Sequence, residues 1–155
     1  MADPKEWGSL LWKIIHICSE NLGKHTKIIL QKDEIMYYNQ FQRKLANIIP
    51  CKVCKQHYKK YMIHIKDVSY EEYKIYGKKY YYNLHKEIND EKQIDSIKYE
   101  DLDNIYGKIN YKTMDGYVKQ LNNLYLKYLN LNYINSIDYK EFQRSLSMLR
   151  HIINI

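Results

Sequence analysis

Apolar side chains in this chain recur every three or four residues for most of its length, the spacing that lays one stripe along an α-helix. Leu11, Ile14, Ile15, Cys18 and Leu22 make the first stripe. Ahead of it, Asp3 can cap, Pro4 suits the first helical position, and Glu6 completes a capping box. Gly23 is the expected stop. Tyr37, Phe41, Leu45 and Ile48 predict a second helix from about Asp33 to Ile48. Pro50 ends it and opens a third, because proline is tolerated in a first turn. Cys51, Cys54 and His57 lie near that start. Cys54, Tyr58, Tyr61 and Ile65 share one face, and Lys52, Lys55, Lys59 and Lys66 mark a solvated side. Ser69 and Glu72 form another capping box before a fourth helix, with Tyr73, Tyr76, Tyr80, Leu84 and Ile88 on one side and Gly77 weakening it slightly.

A short fifth helix, about Lys98 to Tyr106, ends at Gly107. The stretch "GKINYKT" is the clearest boundary, dividing residues 1–107 from 108–155. Beyond it, one helical stripe is Met114, Val118, Leu121, Tyr125 and Leu129. The next starts at Asp138 and Glu141 and continues through Phe142, Leu146, Leu149 and Ile153. Strand-type alternation is not sustained anywhere. The class is therefore all-α, with a C-terminal hairpin expected to pack on the preceding helices or on a second subunit.

Composition supports this. The chain of 155 residues is 45% hydrophobic, enough for a core, and its 5 Gly and 2 Pro are too few for a turn-rich β-sandwich. The surplus of Lys+Arg (25) over Asp+Glu (18) gives +7, which suits an acidic partner. The lysines are dispersed and no nucleic-acid signature is present, so nucleic acid is not the expected partner. No apolar run approaches the ~20 residues of a membrane span, and the start lacks a secretory pattern. The expectation is a soluble protein in a cytosol-like compartment. His25, His64 and His151 read as surface residues, and Cys18, on the apolar stripe, as buried and inert.

The pair Cys51 and Cys54 carries the candidate chemistry. Three readings are open. The cysteines could be small core residues. They could join His57 and His64 around a metal, although all four then sit on one helix and no second ligand pair exists. Or they could be redox-active, since a helix N-terminus and the neighbouring Lys52 and Lys55 favour the thiolate. No strand precedes Ile49, which argues against a thioredoxin-like setting and points to a cofactor held among helices.

Three separated motifs bear on that choice. They are "WGSLLWKIIH" (Trp7 to His16), "PCKVCKQH" (Pro50 to His57) and "YYYNLHKEIN" (Tyr80 to Asn89). In this order and separation the chain resembles the Erv/ALR-type FAD-linked sulfhydryl oxidases, in particular the short forms carried by large cytoplasmic DNA viruses. The likeness runs from about Lys5 to Tyr106. It implies a four-helix bundle plus a short fifth helix, holding FAD and working as a homodimer. The implied reaction turns a dithiol and oxygen into a disulfide and hydrogen peroxide. It further implies that Cys54 lies next to the flavin while Cys51 exchanges with substrate. Gly8, Trp12 and His16 would line the cofactor, with His57 beside the redox pair, His85 and Asn89 at the adenine–ribose part, and Tyr99 downstream.

Tyr80 stands where the family has Trp, and Lys86 where it has Asn. Lys92 and Ile94 fall at the positions of the family's Leu and Lys, so Lys92 or Lys86 would supply the cationic contact to the pyrophosphate. No second cysteine pair exists to relay electrons. A protein dithiol would then reach Cys51 directly, and a small thioredoxin-like carrier fits that need. A viral origin would put the protein in the host cytoplasm or the virion. The alternative is a non-catalytic helical binding module that retains the fold.

Overall fold

The computed structural model describes residues 2–61 and 68–155. Among these, every regular element is helical: α1 (Pro4–Glu20), α2 (Ile28–Ile48), α3 (Lys52–Tyr61), α4 (Tyr70–Glu91), α5 (Leu102–Tyr106), α6 (Tyr111–Asn130) and α7 (Ser136–Ile153). A 3-10 turn, Tyr99–Asp101, leads into α5. None of these helices is long and apolar enough to cross a membrane.

Contacts along α1 set the layout. Glu20 pairs with Lys78 at 3.0 Å and Trp12 stacks on His85, so α1 and α4 run antiparallel. On another side of α1, Glu6 accepts from Lys127 Nζ (3.1 Å) and from the Tyr128 hydroxyl (2.9 Å), while Lys13 lies over the Tyr117 ring. α6 is therefore antiparallel to α1 as well. α7 lies along α2 in the broadest helix pair of the molecule. His25 meets Ile152 and Lys44 meets Glu141, so this pair is antiparallel too. One core runs through all of it: Phe41 and Leu45 share it with Phe142, Leu146 and Leu149, and Phe41 and Phe142 lie 6.0 Å apart. The C-terminal hairpin thus packs on this chain's own helices. Tyrosines fill much of the interior, with Tyr38, Tyr73, Tyr81, Tyr125 and Tyr128 fully buried.

Several local expectations change. Asp3 caps α1 by accepting the Lys5 N–H, but Glu6 leaves the expected capping box for α6. The Ser69–Glu72 box is complete. α1 ends at Glu20, and Gly23 (φ 77°) turns the chain just beyond it. α2 begins at Ile28 rather than near Asp33. Pro50 and Cys51 precede α3 instead of lying in its first turn. α6 starts within the boundary stretch, capped by Asn110. α7 starts at Ser136 because Asn135, not Asp138, is its cap. Tyr76 is 50% exposed, whereas Tyr73, Gly77, Tyr81 and Leu84 form the buried face of α4. His25 is tied down, donating to the Ile152 carbonyl at 2.6 Å, whereas His151 is exposed. The positions of His64, Ile65 and Lys66, and the side chain of Tyr61, lie outside the description.

Candidate active site

Cys51 sits at the mouth of α3. Its carbonyl accepts the Lys55 N–H (2.8 Å), and its sulfur accepts the Cys54 N–H (3.2 Å), the geometry of a helix N-cap. Cys51 and Cys54 are joined by a disulfide with Cα atoms 5.2 Å apart. On reduction, the same N–H and the helix dipole would favour a thiolate on Cys51. Lys55 turns back to donate to the Asn47 carbonyl at 2.9 Å, satisfying a carbonyl in the last turn of α2. Cys51 is 4% exposed and Cys54 is half-buried. Exchange at Cys51, the role implied by the resemblance, therefore needs the α2–α3 joint to uncover it. His57 is half-buried, one turn beyond Cys54.

Tyr58 connects this helix to α4. It shares the face of Cys54, four residues earlier. Its hydroxyl donates to the Gln42 carbonyl (3.2 Å) and shares a 2.5 Å hydrogen bond with Tyr81. Tyr81 in turn lies one turn before His85. Tyr80 packs edge-on against Tyr81 at 5.0 Å, and its buried hydroxyl has no partner among the described residues.

His85 belongs to a stack of flat rings. Trp12 lies over it at 4.1 Å with planes 4° apart. His16 Nε2 and His85 Nδ1 are 2.8 Å apart, so one imidazole donates and the other accepts. The Tyr106 ring, from the end of α5, lies 5.2 Å from His16. Burial lowers the pKa of His16 to about 3, helped by His85. Burial and then the Lys92 charge lower that of His85 to about 4. Both rings are neutral at neutral pH. Continuing the antiparallel register of α1 and α4 by one turn places Gly8 level with Asn89. A Cβ built on Gly8 meets nothing within 4 Å.

The structure thus brings Trp12, His16 and His85 together and joins the helix of Cys54 to the helix of His85 through the Tyr58–Tyr81 hydrogen bond. Lys92, the exposed cap of α4, lies within electrostatic reach of His85. One predicted residue lies apart. Tyr99 meets Tyr82 at 5.1 Å and lies under Lys78, one to two turns along α4 from His85. Asn89 donates to Ser96 at 3.1 Å. Cys18 is fully buried, which pushes its thiol up to about 12. Among the described residues, no group of three His, Cys, Asp or Glu side chains could hold a metal ion.

Sequence reasoning missed Tyr58, Tyr81 and Tyr106. The first two had a usable signal, since they stand one helical turn from Cys54 and His85. Tyr106 had none, being one of 18 tyrosines. No protein-family model, curated protein or solved structure matches the chain.

Proposed function

We propose that the protein is an FAD-dependent thiol oxidase that forms disulfides in protein substrates through Cys51 and Cys54. One observation carries this reading: a disulfide at the start of a helix is tied, through the Tyr58–Tyr81 hydrogen bond, to the helix bearing a stack of neutral rings. Several features of these residues support a planar heteroaromatic group. Trp12, Tyr80, Tyr106 and Cys54 pack on the core yet keep part of their surface open, the Tyr80 hydroxyl lacks a partner, and the flank of Gly8 is clear. Uncharged imidazoles suit stacking on a neutral ring system.

In this reading α1 to α4 with α5 form an Erv-like bundle that pairs as a homodimer. Gly8, Trp12, His16, His57, Tyr80, His85 and Asn89 hold the cofactor, and Lys92 or Lys86 faces its phosphates. The chemistry FAD supplies when bound is transfer of two electrons to oxygen, released as hydrogen peroxide. The chain's own contribution is thiol–disulfide exchange. A substrate thiolate attacks the Cys51 sulfur, the Cys51–Cys54 bond breaks, and a second substrate thiolate resolves the mixed disulfide. The substrate leaves oxidised and both cysteines are left reduced.

The purified protein should absorb as a flavoprotein, or take up added FAD, and consume oxygen with dithiothreitol. Cys51→Ala and Cys54→Ala should each abolish that consumption. A colourless protein that neither binds FAD nor consumes oxygen refutes the oxidase reading and leaves the helical binding module.

A further inference from the structure

The C-terminal hairpin reaches the disulfide end of the molecule. Lys44, one turn before the end of α2, is bonded to Glu141 of α7 at 2.6 Å. Asp138, in the first turn of α7, lies within electrostatic reach of Lys55. The start of α7 therefore lies beside the end of α2 and near Lys55, one turn along α3 from Cys51.

That surface combines exposed apolar and basic side chains. Val53, between the two cysteines, is 71% exposed, and Ile137 at the start of α7 is 65% exposed. The charge is also one-sided: α3 carries Lys52, Lys55, Lys59 and Lys60 and no acidic residue. Among the described residues, the carboxylates of Asp138 and Glu141 are set against Lys55 and Lys44. Lys52 and Lys59 are exposed and extend the positive surface.

We propose that this surface, part of it supplied by the C-terminal hairpin, docks an acidic protein segment carrying a dithiol, with an apolar residue beside the reacting cysteine. The proposal rests on the thiol-exchange half of the function above. Charge complementarity selects the segment and steers its approach. The apolar residue covers Val53 and Ile137, and docking supplies the contact energy needed to uncover the buried Cys51. Exchange then proceeds in balance. A substrate S–Cys51 bond forms as the Cys51–Cys54 bond breaks, with Cys54 leaving as thiolate. The second substrate thiolate attacks the bonded substrate sulfur, so the substrate disulfide forms and Cys51 leaves as thiolate. Two electrons pass to the protein, and two protons are released from the substrate thiols.

The test is an anaerobic single turnover, which needs no oxygen chemistry. Oxidised protein is mixed with three dithiol peptides that differ only in acidic, neutral or basic flanks, and conversion of each peptide to its disulfide is followed by mass. Each rate is divided by the same variant's rate with dithiothreitol. The acidic peptide should react at least roughly tenfold faster than the basic one, with the gap narrowing at high salt. The Lys52→Glu/Lys59→Glu double variant should reverse the order, and Ile137→Ser should slow all three peptides relative to dithiothreitol. Equal rates for the three peptides, an order unchanged by charge reversal, or no formation of peptide disulfide would overturn the proposal. A charge preference without oxygen consumption in the steady state would retain the docking surface and refute the oxidase reading alone.

Discussion

Burial of two neutral histidines makes the site sensitive to acid. His16 and His85 keep folded pKa values of about 3 and about 4, against an ordinary 6.5. Below pH 6.5 the unfolded chain therefore binds more protons than the folded one. Stability is retained above that pH and falls as pH drops from 6.5 toward the folded values. For His16 the limiting slope is about 1.4 kcal/mol per pH unit. Urea midpoints measured between pH 7 and pH 5 should decline, and His16→Gln should flatten the decline. An unchanged slope in that variant would remove His16 from the effect. Trp12, His16 and His85 were legible as candidates because each sits in a short motif. The bond between the imidazoles was not, because 69 positions of chain separate them. Tyr106 was illegible for the same reason and had no motif to mark it.

Gly8 and Gly77, both inside helices, behave oppositely, although helix propensity treats them alike. Sequence reasoning gave Gly77 only the role of a weak point in α4. In place, a Cβ there would lie 2.9 Å from Leu22 Cδ1 and 3.1 Å from the Tyr38 hydroxyl, both in fully buried side chains. Gly77→Ala should destabilise by about 1–3 kcal/mol through overpacking. Gly8→Ala meets open space and, in flavin-free protein, should stabilise by up to about 1 kcal/mol through helix propensity. Chemical denaturation of both variants checks this, and equal shifts of the same sign would contradict it. The same close approach explains why Tyr76 is exposed. α4 turns the Tyr73–Gly77–Tyr81 line inward because Gly77 lets Tyr38 and Leu22 come near. A reading that counted only large side chains chose the adjacent line.

Across the whole molecule, the division at Gly107 marks a change of element, while the core continues past it. Phe142, Leu146 and Leu149 cover Phe41 and Leu45 of α2, and Glu6 of α1 is held by Lys127 and Tyr128. Removing residues 108–155 should therefore abolish cooperative unfolding and near-ultraviolet circular dichroism; a truncated chain that unfolds as sharply as the full one would disprove this dependence. The sequence by itself determined the all-helical class, most helix positions, Asp3 as the cap of α1, the capping box of α4, and the place of Cys51 and Cys54 near a helix start. Those features follow from side-chain periodicity and from groups within a few residues of one another. Only the tertiary structure decided that Glu6 serves α6, that Tyr58 joins the disulfide helix to α4, that the two imidazoles share a hydrogen bond, and that the start of α7 lies near Lys55. Each of these depends on which helix faces are brought together. Such pairings are fixed by the packing of side chains far apart in the chain, and no local pattern encodes them.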